Sequence, residues 1–193
     1  PSVTYMPGSG RAIFAGGRTP TILSTMDKIS IPTQGNASDF GNLAATTRDA
    51  ANASSSTRAL TAGGYISDYT DTIESVEMAT EGNGSDFGNL LAGTYSAQTG
   101  NIGNTTRGVF SGGHVSPAQT NVMQYVTIAT VGNTTDFGNL TLARQDIAGV
   151  SNSTRGINGG GVKAASPYQT NIIDYITIAS TGDATDFGDL LTE

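Results

Sequence analysis

The feature that most constrains this chain is that it is written four times over. The string Asp-Phe-Gly recurs, as Asp39-Phe40, Asp86-Phe87, Asp136-Phe137 and Asp186-Phe187 each followed by glycine, with separations of 47, 50 and 50 residues. A second signal keeps the same beat. Arg11, Arg58, Arg107 and Arg155 precede the glycine pairs Gly16-Gly17, Gly63-Gly64, Gly112-Gly113 and Gly159-Gly160. A fixed period of this size marks each copy as one supersecondary unit that cannot bury its own apolar face and must be covered by its neighbours. Four units, with approximate limits 1–43, 44–90, 91–140 and 141–193, fill the 193 residues as a single domain.

Each unit divides into four strand-sized pieces: a run of small residues, an Arg-led run ending in Gly-Gly, an alternating apolar run, and a short piece carrying Asp-Phe-Gly. The third piece is the clearest. Val122, Gln124, Val126 and Ile128 share one face while Met123, Tyr125 and Thr127 share the other, and period two is the signature of a strand. Its counterparts are Ile22 to Ile31, Ile73 to Ala79 and Ile172 to Ala179. Gly, Asn, Ser and Thr clusters separate the pieces, residues that favour turns because they accept positive φ or hydrogen-bond their own backbone. The chain reads as all-β, and four short antiparallel strands in about 40 to 50 residues is the size of one propeller blade.

The Gly-Gly pair followed by an aromatic residue on the next strand resembles the kelch repeat. In a kelch blade, glycines close the second strand and a spaced Tyr and Trp follow. Here Tyr125 and Tyr175 occupy the tyrosine position, and Phe40, Phe87, Phe137 and Phe187 stand on the fourth strand in place of tryptophan, which the chain lacks. The wording of the unit, as in Tyr175-Ile-Thr-Ile-Ala and then Gly-Asp-Ala-Thr-Asp-Phe-Gly-Asp-Leu, is also similar to kelch-like repeats in virion proteins of marine tailed phages. The resemblance spans the whole chain and implies a β-propeller of four kelch-like blades, each of four antiparallel strands, on a virion or extracellular surface.

The blade phase follows from side-chain size, since the innermost strand of a propeller has little room. Ala50 to Ser54 and Ile147 to Ser151 suit that position. The first blade then starts near Val3 and the fourth ends near Leu190. Two arrangements fit: a four-bladed ring closed by side-chain packing, or a portion of a longer propeller. The first is preferred because the phase leaves no half blade.

Function classes are narrowed by what is missing. With no cysteine and one histidine, the chain has no thiolate nucleophile, no Cys-ligated zinc and no His-rich metal site. No calcium-loop spacing is present either, so neither a metal nor a cofactor is expected. A net charge of −7 with nine Lys and Arg argues against nucleic acid, whose affinity comes from clustered cations. No apolar run approaches the roughly 20 residues of a membrane-spanning helix, and membrane insertion is not expected. His114 occurs in one unit, without a visible nucleophile or acid partner. Asp68 lies in a loop without the second carboxylate that glycoside hydrolysis requires. The chain is read as non-enzymatic, with no catalytic residues.

The recurring residues read as structural. Asp39, Asp86, Asp136 and Asp186 are expected to cap their own turns, the Gly-Gly pairs to shape the backbone, and Arg58, Arg107 and Arg155 to bridge neighbouring units, rather than line a ligand face, through their five donors. The Asn-X-Ser/Thr triplets that begin at Asn36, Asn52, Asn83, Asn104, Asn133 and Asn152 are explained by turn composition. Variation concentrates in the connections after Gly-Gly, which carry Arg18, Tyr65, Tyr69, His114, Lys163 and Tyr168. Variable loops on a rigid repeated scaffold are where recognition usually resides. These six are the candidate ligand-binding residues, with a glycan or protein receptor as the expected partner. The alternative is a structural virion component that contacts only other virion subunits or further copies of itself.

Overall fold

The computed structural model describes residues 10–95, 97 and 102–191, and every regular element among them is a β-strand. Among the described residues no helix is long and apolar enough to cross a membrane. The first repeat holds β1 (Arg11–Ala15), the small hairpin β2 (Arg18–Thr19) and β3 (Thr21–Ile22), β4 (Thr25–Ser30) and β5 (Ser38–Asn42). The second holds β6 (Ala51–Ser54), β7 (Arg58–Ala62), β8 (Thr72–Glu77) and β9 (Ser85–Asn89). The third holds β10 (Arg107–Ser111), the hairpin β11 (His114–Val115) and β12 (Ala118–Gln119), β13 (Val122–Thr127) and β14 (Thr135–Asn139). The fourth holds β15 (Ala148–Ser151), β16 (Arg155–Gly159), β17 (Ile172–Thr177) and β18 (Thr185–Asp189).

Strands pair in sequence order as antiparallel meanders, β6-β7-β8-β9 and β15-β16-β17-β18, with β1-β4-β5 and β10-β13-β14 as their three-stranded counterparts. The expected fourth strand is thus present in two repeats. In the third it shrinks to a bridge between Gly103 and Gly108 and the Val109 amide donating to Ile102 O at 2.8 Å. In the first it falls near Val3, outside the described residues.

The recurring Asp-Phe-Gly is a β-bulge. In the third repeat Met123 pairs with Gly138 and Gln124 with Asp136, which leaves Phe137 as the extra residue. The same skip sets Phe40, Phe87 and Phe187 out of register. A bulge frees one residue from the ladder and re-aims its side chain. The phenylalanine ring turns toward the following repeat, and its carbonyl is left to bond there. Gly82 N donates to Phe40 O at 2.9 Å, Gly132 N to Phe87 O at 2.8 Å, and Gly182 N to Phe137 O at 2.7 Å. The next residue must be glycine for a second reason. A Cβ on Gly41, Gly88 or Gly138 would fall on the carbonyl oxygen of Gly82, Gly132 or Gly182.

Around this joint each repeat lays one face on the next. Met26, Phe40 and Leu43 pack on Val76. Leu60, Ile73, Phe87 and Leu90 pack on Phe110, Val126 and Ile128. Val109, Met123, Phe137 and Leu140 pack on Ile147, Ile176 and Ile178. Of the three arginines expected to bridge, Arg58 reaches Ile128 O at 3.0 Å and Arg107 reaches Ile178 O at 2.8 Å, whereas Arg155 rests over Tyr175 of its own repeat; Arg11 also crosses, to Met78 O at 3.2 Å. A polar position on the third strand of the second, third and fourth repeats points back. Glu74 accepts from Ala44 N at 2.7 Å, Gln124 from Leu91 N at 2.8 Å, and Asp174 from Thr141 N at 3.3 Å. Asp174 also forms an ion pair with Arg144 at 3.0 Å, both side chains being fully buried. Desolvation holds the Arg144 guanidinium below the ordinary arginine range, and Asp174 opposes that shift.

Two expectations need correction. The four aspartates do not all cap turns: among them a hydrogen bond is present at Asp186, from Gly188 N at 3.3 Å, while the exposed Asp39, Asp86 and Asp136 mark the start of the bulge. Capping falls instead to Ser55, Asn104 and Asn152, each accepting from the amides two and three residues ahead. Asn83, Asn133 and Asp183 accept across the joint from Asn42, Asn89 and Asn139 N. Next, the fourth glycine pair is Gly160-Gly161, not Gly159-Gly160. Its φ values of +65° and +110° match the +66° and +103° of Gly63 and Gly64, whereas Gly159 stays on the strand.

Closure into a ring is not seen among the described residues. No backbone pairing or hydrogen bond joins the fourth repeat to the first among the described residues. The faces that a ring would cover stay open: Phe14 is 59% exposed, Ile31 64%, Val150 63% and Phe187 53%, against 2% or less for Phe40, Phe87 and Phe137. Among the described residues the repeats form a stack of sheets whose two end faces are exposed.

Truncating a buried ring costs about 3–5 kcal/mol, and an exposed substitution within about 0.5 kcal/mol. Phe87→Ala is therefore expected to fall in the first range and Phe187→Ala in the second, measured by denaturant unfolding in dilute solution. Similar losses would contradict the open end. Asp174→Ala strands a buried guanidinium and is expected to cost about 3–5 kcal/mol, with much of that recovered in the double variant Arg144→Met, Asp174→Leu.

Candidate functional site

Antiparallel pairing sends two sets of connections to the same side of the stack: the variable segments after each glycine pair and the linkers between repeats. The linkers thread between successive hairpins. Arg48 bridges Tyr65, Tyr95 bridges His114, and Gln145 bridges Val162. Each linker is clamped by the glycine pairs, with Gly64 N donating to Thr94 O at 2.7 Å and Gly113 N to Arg144 O at 2.9 Å. The side chains at these bridges consequently line up along one row, in a ladder that no single repeat contains.

In the second and third repeats the row is aromatic. The Arg48 guanidinium lies 4.7 Å from the Tyr65 ring centre and also pairs with Asp49. Tyr65 meets Tyr69 edge-on at 6.0 Å and Tyr95 at 6.2 Å. Tyr69 and Tyr95 stack nearly parallel, 4.9 Å apart at 12°. His114 closes the row at 5.4 Å from Tyr69 and 5.5 Å from Tyr95. All five side chains are half-buried, so part of each remains accessible at the surface. Offset and edge-on contacts of this kind add about 0.5–1.5 kcal/mol each beyond area burial.

The polar groups here are donors more than bases. Desolvation raises the pKa of the Tyr69 hydroxyl above the ordinary tyrosine value, with Tyr95, Asp68 and Tyr65 adding to the effect; the phenol stays protonated at neutral pH. Asp68 accepts from Tyr69 N at 2.8 Å, which spends one oxygen on its own turn. Among the described residues no group of three or more His, Cys, Asp or Glu side chains is placed to hold a metal. A separate cavity of about 320 Å³ lies between the first two sheets, lined by Ile13, Met26, Leu43, Leu60 and Val76 among others. None of the candidate residues lines it.

The structure thus brings together Tyr65, Tyr69 and His114 of the six candidates. Arg18 lies in the first hairpin and bonds its own turn at Pro20 O, 3.3 Å. Lys163 and Tyr168 face each other across the fourth loop through a backbone hydrogen bond of 2.7 Å, and they have no ring contact with the cluster. Two members were not anticipated, Arg48 and Tyr95. A signal for them exists: each stands five residues beyond the leucine of its Asp-Phe-Gly-Asn-Leu segment, where the units read Arg48, Tyr95 and Gln145 in turn. No protein-family model and no curated protein matches the chain.

A double-mutant cycle on Tyr69→Ala and Tyr95→Ala is expected to return a coupling of about 0.5–1.5 kcal/mol. A value near zero would show that the two rings do not stack in solution.

Proposed function

We propose that the chain is a non-enzymatic binding module, built from kelch-like propeller blades, that recognises a glycan through its aromatic row on a virion or extracellular surface. The observation that carries this reading is the assembly of Tyr65, Tyr69, Tyr95 and His114 from two repeats and one linker into a single half-exposed cluster. Sugars are bound by aromatic platforms that cover their C–H faces and by donors and acceptors that bond their hydroxyls. The row offers both, with the phenols, an imidazole and the Arg48 guanidinium within one patch. Its position supports the same reading. The opposite side of the stack is made of turns that repeat closely, whereas this side differs from repeat to repeat, and rigid scaffolds place recognition on such loops.

A structural role within a larger particle is the second reading, and the two uncovered end faces of the stack favour it. The two readings separate on a glycan array. The intact chain is expected to bind a restricted set of glycans, and Tyr65→Ala, Tyr69→Ala and Tyr95→Ala combined are expected to abolish that binding while far-UV circular dichroism is retained. Undiminished binding by the triple variant would clear the aromatic row, and absence of binding by the intact chain would favour the structural role.

A further inference from the structure

The two free ends of the stack are not unrelated surfaces. Each of the three internal junctions joins the trailing face of one repeat to the leading face of the next, and the structure leaves one unused copy of each face. The trailing face of the fourth repeat presents Val150, Phe187 and Leu190, exposed, at the places where Ala53, Phe87 and Leu90 are buried in the second. The leading face of the first repeat presents Phe14 and Ile31, exposed, where the third repeat has the buried Phe110 and Ile128.

The polar half of the junction is duplicated as well. At the internal junctions a backbone amide, an Asn or Asp oxygen and a second amide of the following repeat, as in Gly82, Asn83 and Gly84, meet the bulge carbonyl and the residue two beyond it. The first repeat carries Gly35, Asn36 and Ala37 in those places, and the fourth offers Phe187 O together with the amide and carbonyl of Asp189. The arginine that reaches across the other junctions is Arg155 here. It rests over Tyr175 at 4.5 Å, and the carbonyl it would meet is that of Ile31. Asp27 is exposed at the position where Glu74, Gln124 and Asp174 take a linker amide, and the matching amide belongs to Leu191. A Cβ on Gly188 would meet nothing within 4 Å, although each of its three counterparts is covered by a carbonyl of the next repeat.

We infer that the trailing face of the fourth repeat docks on the leading face of the first repeat of a second copy of this chain, continuing the stack head to tail. The occupant is a second copy because the two faces carry the apolar, bulge, arginine and carboxylate counterparts of a junction that the molecule already makes three times. Such an interface is heterologous, so repeated copies either close into a ring or extend as a fibre, according to the rotation per chain. This assembly is independent of the aromatic row.

Two variants, each altering an exposed end residue, test it: Phe14→Asp on the leading face and Phe187→Asp on the trailing face. Ile31→Asp and Val150→Asp serve as second probes of the same faces. The wild-type chain is expected to show species larger than a monomer by analytical ultracentrifugation, increasing with concentration. Each single variant is expected to be monomeric with an unchanged circular dichroism spectrum. An equimolar mixture of Phe14→Asp and Phe187→Asp is expected to give a 1:1 dimer and nothing larger, since each partner retains the face the other has lost. A wild-type chain that stays monomeric, single variants that still assemble, or a mixture that stays monomeric would each overturn the inference.

Discussion

The bulged Phe-Gly joint is the interaction on which the stack depends. A regular fourth strand would engage all its backbone groups with the third and leave nothing for the next sheet except side chains. Slipping one residue out of register turns a phenylalanine into the space between sheets and releases its carbonyl to bond the following repeat. Apolar burial and backbone pairing are thereby made at one point. The glycine that follows admits the approach of the neighbouring loop, and neither residue can be exchanged without loss of one half of the joint.

From that joint comes the division of labour between the two sides of the molecule. The turns capped by Ser55, Asn104 and Asn152, and the loops that hold Asn83, Asn133 and Asp183, lie on the side engaged in stacking and satisfy fixed backbone groups. Their chemistry is constrained by the repeat. The hairpins after the glycine pairs are clamped at their bases by the linkers, and their tips carry no such duty. Side chains can differ there without disturbing the stack, and the aromatic row spans that side.

Much of the fold was legible in the residues. The period of the Asp-Phe-Gly string locates the repeats, the alternation from Val122 to Ile128 identifies a strand with two unlike faces, and the recurring arginine points to the bridges made by Arg58 and Arg107. The bulge was not legible, because a register slip leaves no mark in the alternation of so short a strand, and so the aspartates were read as caps. The grouping of Tyr65, Tyr69 and His114 on one variable side was anticipated. Arg48 and Tyr95 were missed because they lie in linkers, whose course depends on where the next sheet is placed.

The sequence by itself determined the unit: its length, its four strand-sized pieces, its buried faces and the side on which it varies. These follow from local periodicity and turn chemistry, which act within about ten residues. Only the tertiary structure decided how the units are joined. Closure depends on the rotation accumulated between successive sheets, a quantity set by packing at three junctions together, and no single repeat encodes it. Identical faces can therefore be buried at Phe87 and open at Phe187, although the residues around both read almost alike.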